Sequence, residues 1–257
     1  MNKTAFIIVV IIVAIGLGAC SDSTKETSSA MVNTMVKPKS EIDFITGVWV
    51  SKDYILCLEE GTPSSCYKNL LGIASILINQ KSIGVSFNNH EGGIAEINTD
   101  EEGNIFLKIN DQNHQVSIEE KTLILTLKDE KSNAEKRFVK ILDDFAKDSD
   151  AGIGIDLITR KIVFAGTYLV CDTDSNCRDT VIFNSNGSIN GWEYGDSFDL
   201  CTDFTEATEE DYKDHVNFYS NNEFQISYSF NRETDGFSLS KNAEGEESEV
   251  LKLVRLK

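Results

Sequence analysis

The chain has 257 residues, 24 Lys+Arg against 42 Asp+Glu, and a formal net charge of −18 at pH 7. Such acidity argues against nucleic-acid binding and against electrostatic docking on anionic lipid, and its plainest consequence is solubility. Two prolines and plentiful Val, Ile, Phe and Thr favour strands, and the length suits one or two domains.

Met1-Asn2-Lys3 opens the chain with a positive charge, an apolar run follows from Ala5 to Leu17, and Leu17-Gly18-Ala19-Cys20 ends it. These are the n-region, h-region and small-residue cleavage site of an export signal. A plain secretory signal and an uncleaved anchor are the alternatives. The run is shorter than the ~20 residues of a spanning helix, and Gly16 and Gly18 break it. A cysteine directly after the cut resembles the lipobox of bacterial lipoproteins. The resemblance implies removal of residues 1–19 and acylation of Cys20, which anchors the protein by lipid in the cell envelope. By the same resemblance, Ser21 implies the outer membrane in a Gram-negative cell. Residues 20–40, rich in Ser, Thr, Lys and Asn without an apolar period, read as a flexible tether.

From residue 41 the pattern is one of short strands. Ile45-Thr46-Gly47-Val48-Trp49-Val50 opens the first, expected to run to Cys57. Further strands are expected over Asn104–Ile109 and His114–Ile118, through Leu123, Leu125 and Leu127, and over Arg137–Leu142. Residues 143–160 read as a linker, acidic at first and then interrupted by Gly152 and Gly154. The pattern then restarts with Phe164–Cys171, a hairpin around Asn186-Gly187, alternation over Gln225–Phe230 and through Phe237 and Leu239, and a last strand over Val250–Leu256. Thr205–Asp214 is irregular and Glu-rich.

The spacing from Gly47 to Gly166 matches that from Arg137 to Arg255 to within one residue, which points to duplication. The expected fold is all-β, with two tandem small up-and-down antiparallel barrels at residues 41–142 and 161–257. Gly-x-Trp on a first strand and Arg on a last strand resemble the lipocalin and calycin barrels. That resemblance implies that Trp49 lies against Arg137 at the base of the first barrel. In the second, Tyr168 takes the tryptophan's place and lies against Arg255. The other lipocalin signature residues are absent, so the two copies look more like the small lipocalin-like domains of bacterial lipoproteins. A barrel of this size holds either packed side chains or one small ligand.

Five cysteines remain beside Cys20. Cys57 and Cys66, and Cys171 and Cys177, each flank a short polar turn-rich stretch and are expected to staple a hairpin loop, leaving Cys201. Exchange of Cys201 for Cys177 is the alternative pairing. No Cys-x2-Cys spacing or neighbouring His supports zinc. Asn98–Ile105 resembles half of an EF-hand loop, but Ile109 stands where the bidentate Glu belongs, so a turn between strands explains it better. Asp172, Asp174 and Asn176 likewise read as a polar loop. His90, His114 and His215 belong to no motif and read as surface or turn residues. No metal, cofactor or catalytic constellation is expected. The sequence reading is a non-enzymatic envelope lipoprotein that binds a small ligand or a partner protein. A scaffold with filled barrels is the second reading, and a hydrolase with a nucleophile beside one of the histidines the third.

Overall fold

The computed structural model describes residues 44–257 except 71, 80–82, 88–91, 110, 129–132, 147–148, 175, 203–212, 242–249 and 257. The signal segment, Cys20, the tether, His90 and most of the Glu-rich segment lie outside the described residues.

The first sheet comprises β1 (Gly47–Ser51), β2 (Ile73–Ile78), β3 (Ile83–Phe87), β4 (Gly92–Thr99), β5 (Ile105–Ile109), β6 (Gln112–Glu119), β7 (Thr122–Lys128) and β8 (Asn133–Leu142). Each strand pairs antiparallel with the next, and β8 returns to β1, closing the barrel. The second comprises β9 (Gly166–Cys171), β10 (Cys177–Phe183), β11 (Ile189–Asn190), β12 (Ser197–Leu200), β13 (His215–Ser220), β14 (Glu223–Glu233), β15 (Gly236–Lys241) and β16 (Val250–Arg255). Here β9 pairs with both β10 and β16. The ring breaks between β11 and β12, where a single bridge, Ser188 to Ser197, crosses it. The protein is thus all-β with two tandem up-and-down barrels.

Both copies open in the same way. A helical residue is followed by a glycine and an aromatic, and the aromatic reaches back four residues. The Trp49 indole N–H donates to the Ile45 carbonyl at 2.7 Å, and the Tyr168 hydroxyl donates to the Phe164 carbonyl at 2.8 Å. Gly47 has φ +140°, and a Cβ there would lie 2.6 Å from the Leu142 carbonyl oxygen, so only glycine fits the closing strand.

The cation over the aromatic differs between the copies. Arg255 is in register with Tyr168, its guanidinium carbon 5.4 Å from the ring centroid, and it donates to the Tyr168 oxygen and the Ala165 carbonyl. In the first barrel Lys140, not Arg137, is in register with Trp49 and lies over its ring at 5.1 Å. The expected Trp49–Arg137 contact is therefore not made. The reason is the two-residue period of a strand: Phe138 faces the core, so its neighbour Arg137 faces outward. There Arg137 pairs with Glu135 at 3.3 Å and Glu119 at 3.9 Å.

The first strand does not run to Cys57. It ends at Ser51, and α1 (Lys52–Glu60), α2 (Pro63–Cys66) and a 3-10 turn (Tyr67–Leu70) follow. Tyr54 and Leu58, four residues apart, share the buried face of α1, which is the helical spacing. Pro63 starts α2, and the Ser65 hydroxyl accepts the Thr62 N–H at 2.8 Å. The Cys57–Cys66 disulfide consequently ties two helices rather than a hairpin. Cys171–Cys177 links facing residues of the β9–β10 hairpin, as expected. Cys201 lies outside both bridges.

The expected linker is also structured. Within it α3 (Ile153–Thr159) runs directly into a π-helical turn, Arg160–Phe164, that leads to β9. Gly154 does not interrupt this helix but lets it settle on the outer face of β1: a Cβ there would lie 2.8 Å from methyls of Val48 and Val50. Helices of the first copy also reach the second barrel. Arg232 of β14 donates to the carbonyls of Leu58, Glu59 and Gly61 at the C-terminal end of α1. The Asp214 carboxylate accepts the Ser64 N–H at 2.8 Å and the Ser64 hydroxyl at 2.6 Å. One apolar cluster runs from Tyr54, Leu58 and Leu70 through Ile155 to Phe164 and Tyr168. The two sheets thus belong to one compact body, spanning residues 39–257.

Candidate functional site

The interior of the first barrel is aliphatic, built by inward residues such as Ile76, Val85, Leu107, Val116 and Leu125 above Trp49. Ser51, His114 and Lys136 are polar side chains on that inward face. Ser51 lies two residues beyond Trp49 on β1, opposite Phe138; it is fully buried and its hydroxyl has no hydrogen-bond partner. His114 lies opposite Leu107 on β6, is 6% exposed, and its Nδ1 has no partner. Lys136 lies opposite Leu125 on β8, two residues from Phe138. An unmet buried polar atom costs about 1–3 kcal/mol, and a natural core carries few of them.

Burial sets the charge states of this group. Desolvation pulls the His114 pKa below its ordinary value, so the imidazole is neutral at neutral pH. Desolvation pushes the Lys136 amine down to about 8, opposed by the charge of Asp53 in the first turn of α1. The three sit on different strands, Ser51 on β1, His114 on β6 and Lys136 on β8, so each offers its polar group singly against an apolar wall, a lining that suits an amphipathic molecule. The expectation of a surface His114 fails here. The alternation that places Val116 and Ile118 on one face of β6 carries His114 with it.

The second barrel is filled differently. Phe164 packs against Phe237 at 4.7 Å, Phe183 at 4.9 Å, Phe230 at 5.5 Å and Phe198 at 5.6 Å between ring centroids. Tyr168, with its pKa raised by burial, joins this cluster. At the closing ends there are clefts of about 380 Å³ beside Trp49, Phe44, Ile118 and Lys140, and about 310 Å³ beside Phe237, Arg232 and Arg255.

The other candidates resolve into structural roles. The Asp100 carboxylate accepts the backbone N–H groups of Glu102 and Asn104 and the Asn104 amide, which ties the β4–β5 turn and holds its pKa down. Asp172 accepts the Asn176 N–H and amide in the β9–β10 loop in the same manner. Among the described residues no three His, Cys, Asp or Glu side chains gather as a metal site. His215 Nδ1 lies 3.4 Å from the hydroxyl of Ser229, the residue paired with it across β13 and β14. Asp214, beside it in sequence, spends both carboxylate oxygens on Ser64.

No family model matches the chain, and neither the curated proteins nor the solved structures contain a match. Among the described residues no helix is long and apolar enough to cross a membrane.

Proposed function

We propose that this protein is a non-enzymatic lipoprotein of the cell envelope, tethered through acylated Cys20, whose first barrel holds a small amphipathic ligand. The observation that carries the reading is the pair of buried polar atoms without partners, Ser51 Oγ and His114 Nδ1, inside an otherwise apolar barrel. Polar groups of a ligand that reach Ser51 and His114 offset their desolvation, while its apolar part lies against the aliphatic wall. The membrane is the partner of the N-terminal lipid, and the acidity of the chain speaks against nucleic acid. The aromatic filling of the second barrel favours the scaffold reading for that half, which then acts through its surface.

Native mass spectrometry of the full-length protein extracted from membranes tests the ligand reading. The expected result is a co-purifying small mass that Lys136→Met and His114→Leu each reduce. A bare polypeptide mass in the unsubstituted protein, with lipid on Cys20 alone, refutes it.

A further inference from the structure

Arg160, the first residue of the π-helical turn before β9, is a cation without an anion. Its Nε is buried and has no hydrogen-bond partner, and among the described residues no carboxylate lies within ion-pair distance of it. In a chain with 42 acidic and 24 basic residues this is unusual, because carboxylates are available at low cost. Its guanidinium lies against the backbone of Gly187: a Cβ there would sit 3.4 Å from Nη1. Gly187, at φ +89°, precedes the one bridge that spans the break in the second barrel.

A cleft of about 450 Å³ opens at this seam, lined by Arg160 together with Asn186, Ser188, Ser197, Asp199 and Tyr219. The seam itself is narrow. Phe198 N–H donates to the Gly187 carbonyl and Ile189 N–H to the Asp196 carbonyl, both at 2.8 Å. Strand pairing stops there, and residues from both sides of the seam line the cleft. The Tyr219 hydroxyl donates to Asp199 at 3.0 Å, which leaves that carboxylate anchored on the wall opposite in charge to Arg160.

We propose that this seam cleft binds a small hydroxyl-rich carboxylate, an acidic sugar in chemical class. Guanidinium binds carboxylate through two parallel bonds, here from its terminal Nη atoms, Nε being closed off from the cleft. Amide and hydroxyl side chains at the rim match sugar hydroxyls, and the volume fits one or two sugar rings. Asp199 adds a like charge that disfavours a dianion such as a phosphate monoester. The site is separate from the interior of the first barrel.

Saturation-transfer NMR and calorimetry on the full-length protein in detergent test it, with glucuronate, glucose, acetate and glucose 6-phosphate as probes. Glucuronate is expected to bind at least about tenfold more tightly than glucose, acetate or the phosphate, one bidentate charged pair being worth that factor. Arg160→Gln should remove this advantage. Asp199→Asn should tighten glucuronate and admit glucose 6-phosphate. If Arg160→Gln fails to fold, Asn222→Asp at the rim keeps a residue that tolerates positive φ and should weaken glucuronate alone. Equal affinity for glucuronate and glucose, no binding of glucuronate, or unchanged affinity in folded Arg160→Gln overturns the proposal. Acetate binding as tightly as glucuronate does so too, since the carboxylate alone is then what the cleft reads.

Discussion

The two barrels share a strand plan but solve their interiors in opposite ways. The first closes its sheet fully and lines it with aliphatic side chains, leaving Ser51 and His114 buried without partners. The second leaves its sheet joined by one bridge and compensates with aromatics centred on Phe164. Backbone pairing and side-chain filling are alternative sources of cohesion. A ring of ladder hydrogen bonds permits polar groups inside, whereas a broken ring relies on apolar area, at about 25 cal/mol per Å² buried. The difference teaches that one strand plan used twice in a chain need not carry the same site twice.

The largest expected effect breaks the comparison at its hubs. Phe164 and Ile45 hold the same place in the repeat, each accepting the hydrogen bond of the aromatic four residues on. Phe164→Ala should cost about 3–5 kcal/mol, and Ile45→Ala about 2–4 kcal/mol. The chain has two tryptophans, Trp49 in the first barrel and Trp192 packed against the second core. Single-tryptophan variants therefore report each barrel separately in denaturant. Because one apolar cluster joins α1 to the second barrel, Phe164→Ala should lower the Trp49 midpoint as well. A Trp49 transition that ignores Phe164→Ala would mean that the barrels unfold independently.

A smaller effect concerns closure. Arg255→Lys loses the bond to the Ala165 carbonyl and the stacking geometry over Tyr168, and should cost about 1–2 kcal/mol. Arg137→Lys, on an exposed outer face, should stay within about 0.5 kcal/mol. Equal costs for the two, measured by urea midpoints, would contradict the assignment of Lys140 as the counterpart of Arg255.

These contrasts also mark what the sequence made legible. Period-two alternation and turn residues were enough for the barrel class, and the polar stretches between paired cysteines for both disulfides. The Gly-x-aromatic signal located each first strand. Three things escaped. Residues 52–57 look like a strand continuation because Ile55, Leu56 and Cys57 form an apolar run, while the four-residue spacing of Tyr54 and Leu58 carries the helix. Gly154 reads as a breaker because a sequence does not show which glycine lies against another element. The closing cation was assigned by residue type, Arg for Arg, when register and face decide it. The candidate site in the first barrel was legible only through the face that His114 shares with Val116. Its lack of a partner is a property of packing that no local pattern encodes.

A further expected effect is a pH dependence carried in the first barrel by His114 and Lys136. Burial holds the His114 pKa below its ordinary 6.5, so the folded protein binds that proton less readily than the unfolded chain. Above that value neither state is protonated and the group is silent. As pH falls below 6.5 the unfolded chain takes up the proton first, and stability of the folded state declines. Lys136 acts in the same sense in a different window. Its amine is held to about 8 against an ordinary 10.5, so stability should fall as pH drops from 10.5 to 8 and change no further below it. His114→Leu should flatten the Trp49-reported slope below pH 6.5, and Lys136→Met the slope between pH 8 and 10.5. His215, whose pKa burial also lowers, retains its own slope below pH 6.5 in the second barrel and serves as the internal control. If the Trp49 slopes of the variants match the unsubstituted protein in both windows, these side chains are hydrated in the folded state. The contrast between a polar-lined first interior and an aromatic-filled second one would then be wrong.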